Sequence, residues 1–463
     1  MSRRERLVLL ASMAGFAMVL LDTTIVNVAL GEIARDLHAG PTTLEWIANA
    51  YTLVFAGLLL STGLAADRIG ARTVFVAGLA TFAVGSVFAT LAPTATTLIA
   101  AQAVLGVGAA LVLPTSLSLL SQVFDDAGRR IRAVGFWAAG SSVAFAAGPV
   151  IGGLLIDQAG WRAIFLVNIP LAVLAAALVL SQVRGGVAHA RAPTPLNLGP
   201  QAAAIVMLVA LTFGLIESNS RGWGSAPVVI ALGVAVLFAV GLVRRERSGA
   251  PRLVPRVLVA DRRFLASTAG GALLNFAFYG ELFFLSLFLQ QERGLDALHT
   301  GLAFLPQPLI FMVVSTMAGR LVAARGPRLP LAAGAALGAA GAFVLLGVDG
   351  DSSYGVLMAG LVLSGLGGGL AIPAVTAGVM GSAPTSLAGI ASAALNAGRQ
   401  TGGVLGVAVL GGLATGAAGV DAAGMHVALV VAGIALLLAS VVAFALPAPS
   451  GRTLRERFAL ATD

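Results

Sequence analysis

Apolar runs of about 20 residues follow one another along the chain, separated by short polar breaks. They fall near 7–30, 45–64, 73–92, 97–120, 133–156, 163–182, 200–217, 226–243, 264–289, 300–323, 329–347, 354–380, 387–416 and 425–446. A helix rising about 1.5 Å per residue needs roughly 20 such residues to cross the ~30 Å hydrocarbon core of a bilayer. The pattern predicts an all-α integral membrane protein with 14 transmembrane helices. The first run follows "RRER", as a signal peptide would. It is too long for one, contains Asp22 and lacks a small-residue cleavage site, so it reads as a retained first helix.

Composition agrees with this pattern: 58% of the 463 residues are hydrophobic and only 10% charged, far from the soluble average. All 28 basic residues are Arg, which with the abundance of Ala and Gly suggests a GC-rich bacterial genome. The net charge of +8 does not point to nucleic acid, because the arginines punctuate the apolar runs. With the N-terminus inside, 23 of them fall at inner loops and helix ends, and only Arg35, Arg162, Arg221 and Arg293 fall outside. This is the positive-inside asymmetry, and it places both termini in the cytoplasm of a bacterial cell with the chain in the cytoplasmic membrane.

The absence of cysteine excludes disulfides, thiolate metal sites and a catalytic thiol. "GLGGGL" and "GVGAAL" do not match G-x-G-x-x-G, no P-loop lysine exists, and the four histidines lack metal-ligand spacing. No enzyme activity, cofactor, metal or nucleic-acid partner is expected.

Internal repeats add more than any single motif. "GLAADRIGAR" at 63–72 aligns with "GRLVAARGPR" at 319–328, and "GVGAALVLP" at 106–114 aligns with "GLGGGLAIP" at 365–373. "GGL" at 152–154 recurs at 411–413, and "ASMAG" at 11–15 resembles "ASTAG" at 266–270, all at offsets of 255–259. The order and the offset imply a duplicated six-helix unit with two helices inserted between the copies. The divisions expected are a first six-helix bundle at 1–183, an inserted pair with flanking loops at 184–263, and a second bundle with a short tail at 264–463. Parallel repeats of this kind place a substrate site near the bilayer midplane between the halves.

Several motifs carry a family likeness over essentially the whole chain. "LDTTIVNVAL" at 21–30, "GLAADRIGAR" at 63–72 and "GSSVAFAAGPVIGG" at 140–153 resemble the first-helix motif, the loop between spans two and three, and the span-five antiporter motif of the fourteen-span drug:proton antiporter branch of the major facilitator superfamily. The resemblance implies conformational gating by Gly63, Asp67, Arg68, Gly70 and Arg72. It also implies an antiporter motif made by Gly140, Gly148, Pro149, Gly152 and Gly153. Three positions depart from the family pattern: Gly31 stands in place of a proline, Ala71 in place of a basic residue, and Gln102 in place of the span-four arginine.

The residues can also be read without the family. Gly140, Ala144, Gly148 and Gly152 recur every four positions and make one smooth stripe for close helix packing. Asp67 sits where the start of span three offers unpaired N–H groups, and an ion pair with Arg68 or Arg72 is the functional alternative to a cap.

Of the 20 acids, only Asp22 and Glu281 lie well inside apolar runs. An ionised Asp there costs about 2.5–3.5 kcal/mol, and desolvation favours the neutral form, so such a group can carry a proton. At an offset of 255 or 256, Asp22 maps to Ala277 or Phe278, one turn from Glu281. Both acids are therefore expected to face a shared central cavity. Thr23, Asn27, Gln102, Asn275, Tyr279, Gln307, Asn396 and Arg399 are the other candidates to line it. Arg399 either pairs with a carboxylate or anionic substrate group or extends toward the cytoplasmic face.

The function expected is a proton-gradient-driven antiporter, working as a monomer, that exports amphipathic small molecules such as drugs, antibiotics or a secondary metabolite by alternating access. The alternative is a proton-coupled symporter taking up a small nutrient on the same fold.

Overall fold

A computed structural model describes residues 1–124, 126–183, 198–248, 254–384, 387–416, 419–420 and 422–446. The first group of helices is α1 Arg3–Asp36, α2 Pro41–Ile69, α3 Ala71–Thr90, α4 Ala95–Val123, α5 Ala127–Ala159, α6 Ala163–Leu166 and α7 Asn168–Gln182. Then come α8 Leu198–Arg221, α9 Ala226–Arg247 and the short α10 Arg256–Ala260. The second group is α11 Arg262–Gln291, α12 Ala297–Phe304, α13 Pro306–Arg325, α14 Arg328–Val344, α15 Tyr354–Ser382, α16 Ala388–Gly406, α17 Gly412–Ala414 and α18 Ala422–Val442. A π-helical turn, Val407–Gly411, joins α16 to α17, and a two-stranded hairpin pairs Thr415–Gly416 with Gly419–Val420.

Taking α6 with α7 and α12 with α13, twelve helices among the described residues are long and apolar enough to cross a membrane. The runs at 45–64 and 387–416 fall on α2 and on α16 with its π turn, which pack on each other between the two groups.

Helix ends extend beyond the apolar runs because polar residues cap them. Ser2 accepts the Glu5 N–H at 3.1 Å while Glu5 accepts the Ser2 N–H at 2.6 Å, so α1 starts four residues before its apolar run. Two runs are interrupted, both at proline. The Pro170 ring would meet the Leu166 carbonyl, and α6 ends there. Pro306 and Pro308 cannot donate to Leu302 and Phe304. The Leu302 carbonyl accepts instead from Leu305 at 3.1 Å, and the chain breaks between α12 and α13.

The sequence repeats correspond to repeated packing. α1 packs on α5 and α7 as α11 packs on α16 and α18, and α4 packs on α2 and α3 as α15 packs on α13 and α14. A Cβ at Gly106 would stand 2.5 Å from the Tyr51 carbonyl, and one at Gly365 would stand 2.5 Å from the Gln307 carbonyl. A Cβ at Gly108 would stand 2.7 Å from the Phe82 nitrogen, and one at Gly367 would stand 2.6 Å from that of Gly338. Gly70 and Gly326 both take left-handed φ values, 89° and 75°, at the turns that follow α2 and α13. Other residues rarely adopt that conformation.

Candidate functional site

A cavity of about 310 Å³ lies between the two groups of helices. α1, α2, α4 and α5 form one wall; α11 to α16 and α18 form the other. The closest approaches between the groups lie at the cavity or toward the end of the bundle away from the N-terminus. Gly153 of α5 meets α12, where its Cβ would stand 2.6 Å from the Ala297 carbonyl, and Gly301 presses on the Pro149 carbonyl. Ser286 donates to the Asn27 carbonyl at 2.7 Å, and Gln290 covers Gly31. Toward the N-terminal end, the lining continues through Phe16 and Ala138. Phe16 stacks on Trp137 with ring centroids 4.2 Å apart.

The two acids are placed differently. Glu281 lines the cavity, 4% exposed, and its Oε1 has no hydrogen-bond partner. Asp22 does not line it, which corrects the expected shared orientation. Its carboxylate turns into the first bundle, 1% exposed, where Asn168 of α7 donates to Oδ1 at 3.0 Å and Oδ2 is unpartnered. The physical reason is rotational: Leu20 and Thr24 occupy the cavity face of α1, and a residue midway between them points about 160–200° away.

Five of the eight other candidates line the cavity: Asn275, Tyr279, Gln307, Asn396 and Arg399. Thr23, Asn27 and Gln102 do not. The Thr23 hydroxyl donates to the Val19 carbonyl at 2.7 Å, and the Asn27 amide donates to Thr23 at 3.2 Å, both satisfied within their own helix. Gln102 is buried between α4 and α2, donating to the Ile47 carbonyl at 3.3 Å.

The glycine stripe of α5 meets α1 directly. Gly140 is covered by Met13, Gly148 by the Thr24 hydroxyl, and Gly152 by Ile25. Pro149 leaves the Phe145 carbonyl without its helical donor. The Thr24 hydroxyl lies 3.4 Å from that oxygen and 3.1 Å from the Leu21 carbonyl, so one proton serves two acceptors.

Gly63 and Asp67 lie in the last turns of α2, which corrects the expected place of Asp67 at the start of the next span; the side chain of Asp67 and the surroundings of Gly63 lie outside the described residues. Arg72 reaches α7, its Nη2 donating to the Leu180 carbonyl at 3.4 Å. Arg68 is exposed and has an interaction partner of its own.

Three residues of the site escaped the sequence reading. Asn168 is an amide six residues into an apolar run, and listing every intramembrane amide would have found it. Glu45 stands at the very start of the run at 45–64, but α2 starts earlier, at Pro41, a residue type favoured in the first helical turn. That puts Glu45 one turn in and fully buried at the join between the groups, 3.5 Å from the Thr415 hydroxyl. Asn49, one turn further on, is also fully buried and has neither amide atom paired.

The sequence pattern of the Major Facilitator Superfamily matches residues 12–407. The chain belongs to this superfamily of membrane transporters. It is 36% identical over 397 residues to the methylenomycin A resistance protein of Streptomyces coelicolor, covering 86% of this chain and 83% of that one. Multidrug resistance protein Stp of Mycobacterium tuberculosis is 36% identical over 411 residues, covering 89% and 76% respectively. The tetracenomycin C resistance and export protein of Streptomyces glaucescens is 34% identical over 406 residues, covering 87% and 74%. The fold also matches the crystal structure of a bacterial homologue of the human lysosomal transporter Spinster in an inward-facing, unoccupied conformation. That match has a TM-score of 0.68 and 15% identity, and it covers 97% of this chain and 100% of the other.

Proposed function

We propose that this superfamily member is a fourteen-span, proton-coupled antiporter of the bacterial cytoplasmic membrane that exports amphipathic small molecules. α2 and α16 serve as the two spans beyond the twelve, both termini are cytoplasmic, and residues 1–183 and 264–463 form the halves that rock about the cavity. The observation that carries the reading is a largely apolar cavity between the two groups of helices, with the unpaired Oε1 of Glu281 on its wall. The named resistance and export relatives support the outward direction. Glu281 exchanges protons with the cavity, and Asp22 stores one inside the first bundle against Asn168. A carboxyl that is neutral when sealed and ionised when wet couples proton movement to the change of state. The glycine contacts at Gly153 and Gly301 are the outer closure, and Gly63, Asp67, Arg68, Gly70 and Arg72 act at the inner end.

The test is transport in oriented proteoliposomes, screened over cationic, neutral and anionic amphiphiles, with the pH gradient imposed in each direction. Export predicts that substrate leaves the cytoplasmic face as protons move the opposite way. Accumulation in the same direction as the protons would overturn antiport in favour of uptake.

A further inference from the structure

Among the described residues the cavity wall carries one arginine, and that arginine has no counter-ion. Arg399 of α16 lays its aliphatic stem across Gly271 of α11, where a Cβ would stand 3.0 Å from the Arg399 Cγ. Its Nε–H donates to the Asn275 Oδ1 at 3.4 Å, a long bond to a neutral acceptor. Among the described residues no carboxylate lies within 4.0 Å of the guanidinium, and its two terminal nitrogens have no hydrogen-bond partner. Other arginines of the protein are matched: Arg129 with Glu5, Arg162 with Asp36 and Arg221 with Glu217, at 2.6–3.0 Å. Glu281 shares the cavity with Arg399 without pairing to it.

A guanidinium keeps its charge where a carboxyl can neutralise, and its planar fork of donors matches an oxyanion bidentately. Arg399 is half-buried, and a charge partly removed from water gains from a partner of opposite sign. In the same cavity lining, Phe145 of α5 and Phe278 of α11 pack against each other with centroids 5.6 Å apart and present an apolar surface for the body of a ligand. We infer that Arg399, oriented by Asn275, anchors the acid group of the transported compounds, and that these are amphipathic carboxylates. This deepens the proposed export function and rests on it for the use made of the cavity.

The experiment measures binding of three probes with one body, 4-phenylbutyrate, 4-phenylbutanamide and 4-phenylbutylamine, to the full chain in phosphatidylcholine nanodiscs. Calorimetry and the fluorescence of Trp137, which stacks on Phe16 of the cavity wall, serve as readouts. The carboxylate is expected to bind about tenfold more tightly than the amide or the amine, as a charge-assisted bidentate pair should. Arg399→Gln should bring the carboxylate-to-amide ratio near one, and Arg399→Lys should restore part of it. If Arg399→Gln does not fold, Asn275→Leu, which removes the acceptor that orients the guanidinium, should lower the same ratio severalfold.

A ratio near one in the wild type, preference for the amine, or a ratio that survives Arg399→Gln overturns the inference. Loss of carboxylate binding when phosphatidylglycerol replaces part of the lipid assigns the guanidinium to a lipid phosphate and overturns it as well. Failure of the transport reading looks different: a carboxylate that binds through Arg399 but is not moved by a pH gradient removes export and leaves the anion site standing.

Discussion

The two walls of the cavity come from repeat-related groups of helices, yet their chemistry differs. The wall from α1, α2, α4 and α5 offers phenylalanines, aliphatic side chains, Pro149 and a single hydroxyl, Thr24, already engaged with backbone carbonyls. The wall from the second group supplies both charges, Glu281 and Arg399, and all the amides. The backbone packing is nevertheless conserved between the groups, down to which glycine approaches which carbonyl. A glycine pressed on a neighbouring backbone tolerates no side chain, while a position facing a cavity is under no such constraint, so repeated packing is compatible with different cavity chemistry. The first helix of each group carries one buried acid well inside its apolar run, Asp22 turned into its own bundle and Glu281 toward the cavity.

The contact proposed as the outer closure gives the strongest way to break this comparison. Gly301→Leu would drive a side chain into the Pro149 backbone, and overpacking costs about 1–3 kcal/mol. Because the cost falls on one state, the equilibrium between states should shift roughly 5–150-fold toward separation at that end. A single cysteine placed at position 45 of this cysteine-free chain, labelled by an impermeant maleimide, should react faster in the variant; equal rates would show that the contact does not hold the closure.

The acids come next. Asp22→Asn should abolish proton-driven accumulation while leaving substrate affinity within about twofold, since Asp22 does not line the cavity. Glu281→Gln should abolish substrate-evoked proton release and change affinity too. Equal behaviour of the two variants in binding and proton-release assays would erase the distinction drawn between the halves.

Asn168→Ala removes the donor that satisfies Asp22 and should lower unfolding stability by about 1–3 kcal/mol, read as a drop in the thermal midpoint. An unchanged midpoint would mean that water replaces the amide.

The smallest effect concerns Asp296, which caps α12 at 2.7 Å from the His299 nitrogen. Asp296→Ala should cost about 1 kcal/mol. The His299 backbone N–H, then its side chain, hold the Asp296 carboxyl below its ordinary range. A lowered carboxyl contributes stability above its unfolded value and loses it as pH falls through the folded one. The difference in midpoint between wild type and variant should therefore persist at neutral pH and close in acid, below about pH 3.9. A difference that stays constant with pH would remove the carboxylate from the cap.

Much of this was readable from local pattern. Apolar runs gave the helices, with their interruptions at Pro170 and at Pro306 and Pro308 implicit in the sequence. The four-residue spacing gave the α5 stripe, which the structure packs on α1. Asn275, Tyr279, Gln307, Asn396 and Arg399 were recognisable because polar groups in long apolar helices must face something other than lipid. That argument says a residue faces inward but not into which interior, and so Thr23, Asn27 and Gln102 were assigned to the cavity when they bond to helix backbones instead. The π turn at Val407–Gly411 and the burial of Glu45 had no local signature strong enough to read.

The sequence by itself determined a bilayer-spanning chain, its repeat and the rarity of its buried charges, because hydropathy and spacing are properties of neighbours along the chain. Only the tertiary structure decided that Asp22 meets Asn168, 146 residues away, while Glu281 and Arg399 face the same space without meeting. A helix side chain's partner depends on the rotation of that helix within its bundle, and that rotation is set by the packing of many helices at once.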